Sequence, residues 1–291
     1  MSGQDRSLLI EVADSAGYCW GVERAIDLAT EASESNPDKD VNTLGPVIHN
    51  TRTVNRLRDD YDIGILEEAD TAGDGDVMVI RAHGVPEAVI EDARERGVEV
   101  VDGTCPLVTV IHRAARRLEA EGYNVVIIGK RDHPEIIGIQ GAIEGPGHVL
   151  ETPDDVADLP SMKKCGVVLQ STIIAGHAGD IIGRLGARFR YLKVENTICH
   201  VTTERQTETG DLAARVEVML VVGSPHSSNT RKLEQVCIEA GCTTYRIELP
   251  GDIDMSWFDG VHHIGVHAGA STPRELLGEI TDHLYGSLVP D

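Results

Sequence analysis

The chain has 291 residues, of which 41% are hydrophobic, with 26 basic against 48 acidic side chains and a formal net charge of −22. That length holds one large domain or two to three smaller ones around a real core. The charge argues against nonspecific binding to nucleic acid or anionic membrane. No apolar run is long enough to span a bilayer. The start, MSGQDRSLLI, lacks the basic-then-apolar pattern of a leader. The chain is therefore read as cytoplasmic, where thiols stay reduced. The basic residues are mostly arginine, 20 against 6 lysines, and an acidic, lysine-poor surface would suit adaptation to salt.

Strand-like runs alternate with helix-like runs throughout, which predicts parallel sheets covered by helices. The first third offers LLIEV, VNTLG, DIGIL and VMVIRA; the second VEVVD, NVVIIG, HVLE and GVVLQ; the last YLKVE, VEVMLVV, TTYRIE and HHIGVHA. Four strands per third predict an α/β fold of three pseudo-threefold-related units, each with a small parallel sheet, around a central cleft. Breaks around Gly103–Cys105 and Asn196–Cys199 divide the chain into 20–104, 105–198 and 199–291, with 1–19 at the central site.

The repeat is marked by cysteine. Cys19, Cys105 and Cys199 lie 86 and 94 residues apart, each after a strand-like run and before a helix-like one. Each copy then reaches an apolar run closed by glycine and histidine, at His49, His133 and His226. A further strand ends in a polar stop: His83, Ser171 and Ser271. Ligands of parallel sheets bind beyond the carboxyl ends of the strands, where all these residues are placed.

A lone cysteine in such a turn is usually a packing residue, and Cys165, Cys237 and Cys242, which have no counterparts, are read that way. Three thiols in register are different. Converging thiolates suit an iron–sulfur cluster or zinc, and on a four-iron cube they would leave one iron without a protein ligand. Ser227, Ser228 and Asn229 open the helix TRKLEQVCIEA, where backbone N–H groups suit phosphate. Taken alone, they would be an ordinary cap. Ser271 with Thr272, His83 and His49 repeat the theme, and four such stops together favour a bound polyanion. In HPE, Glu135 follows His133; it fits a proton donor in a dry cleft and a cap of the helix EIIGIQGAI equally. Arg113, Arg116 and Arg117 share a helix face. They could dock an acidic electron donor, but a solvated face paired with Glu119 and Glu121 is favoured. Two rival functions fit parts of this pattern: a cluster-bearing sensor without turnover, and a three-cysteine zinc hydrolase of phosphate esters.

GYCWGVERA, LGPVIHN, RAHGV, DGTCPLVT, GKRDHPE, QST, TICHVTTERQ, VVGSPHSSNT and HAGAST, in that order, resemble the signatures of the 4-hydroxy-3-methylbut-2-enyl diphosphate reductase (IspH/LytB) family. The resemblance implies a [4Fe–4S] cluster held by Cys19, Cys105 and Cys199. It implies a diphosphate held by His49, His83, Ser227, Ser228, Asn229 and Ser271, with Thr202 also lining the pocket. The catalytic set it implies is Glu135 as proton donor, with His133 and Ser171. The implied reaction is two-electron reductive dehydroxylation to isopentenyl and dimethylallyl diphosphate, the last step of the methylerythritol phosphate pathway, with ferredoxin or flavodoxin as donor. Ser171 stands where threonine is usual, His200-Val201 where Tyr-Ala is frequent, Lys130 where some members have histidine, and Trp20 at a variable place.

Overall fold

A computed structural model describes residues 8–288. Residues 1–7 and 289–291, which carry most of the leader reading and the outer ends of the first and last spans drawn above, lie outside the described residues.

The chain runs β1 (Leu9–Val12), α1 (Trp20–Ser35), β2 (Val41–Leu44), α2 (Thr51–Tyr61), β3 (Gly64–Leu66), β4 (Val77–Ile80), α3 (Glu87–Glu95) and β5 (Glu99–Asp102). It continues with α4 (Pro106–Ala120), β6 (Asn124–Ile128), α5 (Pro134–Gln140), β7 (His148–Leu150), β8 (Cys165–Leu169), α6 (Ala175–Arg188) and β9 (Leu192–Val194). The last stretch holds α7 (His200–Ala213), β10 (Val218–Val222), α8 (Ser228–Glu239), β11 (Thr243–Ile247), β12 (His263–Ala268) and α9 (Arg274–Leu288).

The strands form three four-stranded sheets, ordered β3-β2-β4-β5, β7-β6-β8-β9 and β11-β10-β12-β1. Every pairing is parallel. The three orders are the same path repeated. Central strands β4, β8 and β10 are buried along their whole length, as expected where helices cover both faces of a parallel sheet. That is why VMVI, CGVVL and VMLVV read as unbroken apolar runs.

One expectation changes. Order along the chain groups LLIEV, VEVVD and YLKVE each with the third that it begins. Instead VEVVD (β5) edges the first sheet beside β4, and YLKVE (β9) edges the second beside β8. LLIEV (β1) pairs with β12 in the third, Leu9 opposite His263. The reason is the short β-α-β crossover: a strand that follows the helix after β4 or β8 finds the open edge of the sheet it has just left.

The described residues pack as two compact units. Residues 8–19, 49–51 and 200–288 form the first, with the third sheet; residues 20–48 and 52–199 form the second, with the other two sheets. In the first unit the core gathers Leu220, Val222, Ile264, Val266, Leu276 and Ile280 between β10, β12 and α9. In the second, Ile111, Leu118, Ile127 and Ile136 join α4 and α5 to the second sheet.

Two glycines allow the cysteine loops to pass. A methyl group at Gly103 would stand 2.2 Å from the Ile80 carbonyl oxygen at the end of β4. Gly17 has φ +120°, a conformation L side chains rarely adopt, and a methyl there would meet Arg274 Cγ at 2.7 Å. Gly103→Ala is therefore expected to destabilise by about 1–3 kcal/mol through overpacking. Gly278→Ala, on the open side of α9 with nothing within 4 Å, is expected to stabilise by up to about 1 kcal/mol. Denaturant midpoints of the two variants check both signs.

Two buried histidines give the fold a pH dependence. Burial pushes His112 down to about 4, with Arg116 adding and Asp102 and Glu87 opposing. Burial likewise pushes His267 to about 4, with Arg205 adding and Glu208 opposing. The unfolded rings take protons near pH 6.5, so between there and about 4 the unfolded state binds more protons. Stability is full above this window and falls as the pH drops through it, by on the order of 3 kcal/mol per ring. Glu135 acts with the opposite sign, because burial raises its carboxyl. Thermal unfolding followed downward from neutral pH is expected to show the fall, and His112→Asn to flatten it. A variant profile parallel to the wild type would refute this account of His112.

Candidate functional site

Three equivalent hydrogen bonds place the cysteines. Cys105 N donates to Ala82 O at 3.0 Å, Cys199 N to Ser171 O at 3.0 Å, and Cys19 N to Ala270 O at 3.2 Å. Each acceptor lies two residues beyond the end of the third strand of its sheet: β4, β8 and β12. A second set closes the first strands. Gly45 N donates to Leu66 O (2.7 Å), Gly129 N to Leu150 O (3.0 Å) and Gly223 N to Ile247 O (2.8 Å).

These bonds set the register of the repeat and correct it at two points. Four residues beyond each glycine stand His49, His133 and Ser227. Ser227, not His226, is the third counterpart. His226 is exposed, while Ser227 is buried and caps α8, its Oγ accepting from Thr230 N at 3.3 Å. Sequence spacing misses this because the distance from cysteine to histidine drifts between copies. At the other stop, three residues beyond the strand end stand His83, Thr172 and Ser271. Ser171 therefore sits one place earlier, in register with Ala82 and Ala270. Half-buried Thr172 escapes the pattern of polar stops; counting from the last apolar residue of each strand finds it.

The second unit brings His133, Glu135, Ser171 and His83 together. His133 is the cap of α5, its Nδ1 accepting from Glu135 N at 3.1 Å. With Nδ1 an acceptor, the neutral ring carries its proton on Nε2. His83 meets His133 edge to face, ring centroids 5.3 Å apart. Glu135 is 1% exposed. One carboxyl oxygen, Oε1, accepts from Ser171 N and the other, Oε2, lies against Ser171 Oγ, both at 2.6 Å. Burial raises this carboxyl above the usual range, against the opposing pull of the two Ser171 bonds. The carboxyl thus crosses to the Ser171 loop and leaves the capping of α5 to His133.

Behind this group lies His112, which carries no mark among the sequence motifs. It follows Cys105 by seven residues on α4 and is buried. A methyl at Gly138 of α5 would stand 3.2 Å from its Nε2, and one at Gly84, beside His83, 3.4 Å from its Cε1. The ring fills a space kept open by Gly84, on the loop beside His83, and by Gly138 within α5. Its one signal in the sequence is position, two helical turns beyond the cysteine on the same face.

The first unit holds the head of α8. Ser227, Ser228 and Asn229 are all buried there. Both polar side-chain atoms of Asn229 are buried without a hydrogen-bond partner. Leaving such groups unsatisfied costs about 1–3 kcal/mol each, so Asn229 at a helix N-terminus fits an anionic ligand. Ser271 follows β12 half-buried. Thr272 is turned inward, its Oγ1 donating to Val222 O at 3.2 Å. Thr202 lies buried in the first turn of α7, and His49 is half-buried in the segment that Thr51 Oγ1 ties to Glu248 at 3.3 Å.

Five of the six cysteines fall into two chemical classes, and half-buried Cys242, whose thiol burial also raises, stands between them. Burial pushes the Cys165 thiol up to about 11. Burial, with Cys242 nearby, pushes Cys237 up to about 12. Both are packing residues. Cys19, Cys105 and Cys199 are half-buried, and each immediately precedes a helix: α1, α4 and α7. A helix N-terminus favours thiolate, and thiolates are the soft donors that iron and zinc take.

The arginine face of α4 is engaged by other partners than Glu119 and Glu121. Arg116 pairs with Glu87 at 2.6 Å and Arg117 with Glu195 at 3.0 Å. Glu119 instead accepts from Glu144 N and Gly145 N, and Glu121 pairs with Lys193 at 2.6 Å. The chain returns Glu87 at the start of α3 and Glu195 just after β9 to Arg116 and Arg117, a tertiary choice that spacing along one helix cannot reveal.

Comparison with known proteins places the chain in a family. The family described as LytB protein matches residues 10–285. The 4-hydroxy-3-methylbut-2-enyl diphosphate reductase of Geobacter sulfurreducens is 42% identical over 275 residues, 94% of this chain and 96% of that one. The Aquifex aeolicus protein of the same name is 38% identical over 279 residues, 94% and 95% of the two chains. A solved (E)-4-hydroxy-3-methyl-but-2-enyl diphosphate reductase, the terminal enzyme of the non-mevalonate pathway, superposes with a TM-score of 0.71 at 37% identity, covering 95% of this chain and 99% of that one. The Plasmodium falciparum E-1-hydroxy-2-methyl-but-2-enyl-4-diphosphate reductase superposes with a TM-score of 0.92 at 25% identity, covering 96% and 89%. The repeat, the three cysteine loops and these matches along nearly the whole length make the chain a member of the LytB family.

Proposed function

We propose that this chain is a 4-hydroxy-3-methylbut-2-enyl diphosphate reductase, forming isopentenyl and dimethylallyl diphosphate by two-electron reductive dehydroxylation. Family membership supports the reaction. The single observation that carries the chemistry is the buried Glu135 carboxyl joined to Ser171. In this reading Cys19, Cys105 and Cys199 hold a [4Fe–4S] cluster, one thiolate from each repeat. When bound, the cluster supplies electrons one at a time and an iron open to a substrate oxygen. Electrons come from a ferredoxin or flavodoxin, in a cytoplasmic setting. The units 20–104, 105–198 and 199–291 each furnish one set of loops, and 1–19 brings Cys19.

The residues divide the remaining work. Ser227, Ser228 and Asn229 at the head of α8, with Ser271, His49 and His83, hold the diphosphate. Thr202 lines the same pocket. The Nδ2 amide of Asn229 donates to the diphosphate and so gains the acceptor it lacks in the protein alone. His133 offers its Nε2 proton as a donor. Ser171 N must donate to Oε1 of Glu135, so the carboxyl proton rests on Oε2, against Ser171 Oγ. Glu135 then passes that proton through the Ser171 hydroxyl to the departing substrate oxygen, and water leaves. Thr172, in register with His83 and Ser271, adds a hydroxyl to the same lining.

Glu135→Gln keeps the shape and removes the acid. Turnover with a chemical reductant is expected to fall by roughly 100-fold or more, with visible absorption unchanged; unaltered turnover would reject the acid role. Replacing any one of the three cysteines by serine is expected to bleach that absorption. Iron and sulfide analysis of anaerobically purified wild type tests the cofactor itself, and zinc in place of iron would overturn it. Asn229→Ala is expected to raise KM for the diphosphate roughly 10–100-fold, as for loss of a hydrogen bond to a charged group. The unliganded variant should unfold at the wild-type temperature or above it, because an unsatisfied buried amide has been removed. A lower unfolding temperature with unchanged KM would make Asn229 structural.

A further inference from the structure

The loop that delivers Cys19 is gripped by side chains that no role assigned so far explains. Asp14 N and Ser15 N donate to the two carboxylate oxygens of Glu208, at 2.6 and 3.1 Å. Ser15 Oγ donates to the same carboxylate. Asp14 O and Ala16 O accept from Arg274 at 2.8 and 3.2 Å, and Tyr18 O accepts from Arg205 at 3.4 Å. Cys19 N then closes on Ala270 O. Glu208 and Arg205 are three residues apart on α7, so they share one face and act on both ends of the loop.

His267 completes the group from β12. It is fully buried, with Nε2 3.4 Å from Ser15 Oγ and 3.6 Å from Glu208 Oε2. Serine, histidine and glutamate so close suggest a nucleophile and its base, but the proton positions forbid it. His267 Nδ1 accepts from Ala268 N at 2.7 Å, so Nε2 carries the ring proton and cannot take the one on Ser15. The ring donates; it does not activate. Burial alone would raise the Glu208 carboxyl, but the bonds from Ser15 and Asp14 outweigh it and hold Glu208 below the usual range, charged and ready to accept.

We propose that Glu208, acting through Ser15 and backed by His267 and Arg205, is a positioning residue that fixes the Cys19 loop so that its thiolate stays on the iron–sulfur cluster. The proposal rests on the cofactor reading above. Partners that orient metal ligands commonly matter by roughly 10–100-fold in metal retention.

A matched control lies at the opposite end of the same strand. Glu217 Oε2 accepts from His262 N and His263 N at 2.7 and 2.8 Å, a similar carboxylate-to-backbone anchor far along β12 from Ala270. Anaerobically reconstituted wild type, Glu208→Gln, Ser15→Ala and Glu217→Gln are compared by the rate of iron release to a chelator and by amide hydrogen exchange over residues 13–19. Glu208→Gln is expected to release iron and exchange these amides at least roughly tenfold faster than wild type, with Ser15→Ala following it and Glu217→Gln matching wild type. Should Glu208→Gln fail to fold, Ser15→Ala against Glu217→Gln makes the same comparison. Equal rates in the Glu208, Ser15 and Glu217 variants would overturn the clamp. Wild type that binds no iron would overturn the cofactor reading instead, and hydrogen exchange alone would then decide whether Glu208 holds the loop.

Discussion

Each cysteine in the repeat has its own backbone N–H committed to the carbonyl two residues past the third strand of a sheet. Much follows from that bond. It fixes where a helix begins, because α1, α4 and α7 each start at the next residue. It fixes which residue of the polar stop lends its carbonyl to the cysteine, and so separates Ser171 from Thr172. It also demands that the loop pass close to the strand end, which is why Gly103 has no room for a side chain above Ile80.

Around this frame the protein keeps the buried Glu135, His112 and His267 uncharged and leaves hydrogen-bonding capacity for a ligand. Glu135 is raised, and His112 and His267 are lowered, by the same cause: burial disfavours the charged form whichever sign it has. The result in an acidic chain is a set of neutral donors and acceptors beside thiol loops. Asn229 is the clearest sign of a site built for something absent from the polypeptide, since two buried polar atoms without partners are costly in a protein that must fold before it binds.

Much of this is legible in the sequence. The alternation of apolar runs with amphipathic stretches reveals parallel sheets, and the recurrence of Cys19, Cys105 and Cys199 reveals three copies. What spacing cannot supply is register. Loops of different length shift a histidine or serine by one place, so His226 is matched where Ser227 belongs, and Ser171 where Thr172 belongs. Strand membership of β1, β5 and β9 is misread for a related reason: a strand's partner is chosen by the open edge beside it. The surroundings of His112 and the partners of Arg116 and Arg117 depend on segments far apart in the chain. Their physics is tertiary, and no local pattern records it.

The first strand has a further meaning for how the molecule is assembled. Among the described strands β1 leaves the ribosome first, yet its place beside β12, more than two hundred and fifty residues later, does not exist until β12 has emerged. The first two sheets draw on neighbours near in sequence and can close during synthesis, whereas the third must wait for β1 to meet β12. A loop of that span makes closure slow. It also makes the order of the repeat cyclic, with no privileged starting point, so that a chain relinked at its ends and opened in another equivalent turn would trace the same three sheets in a different order.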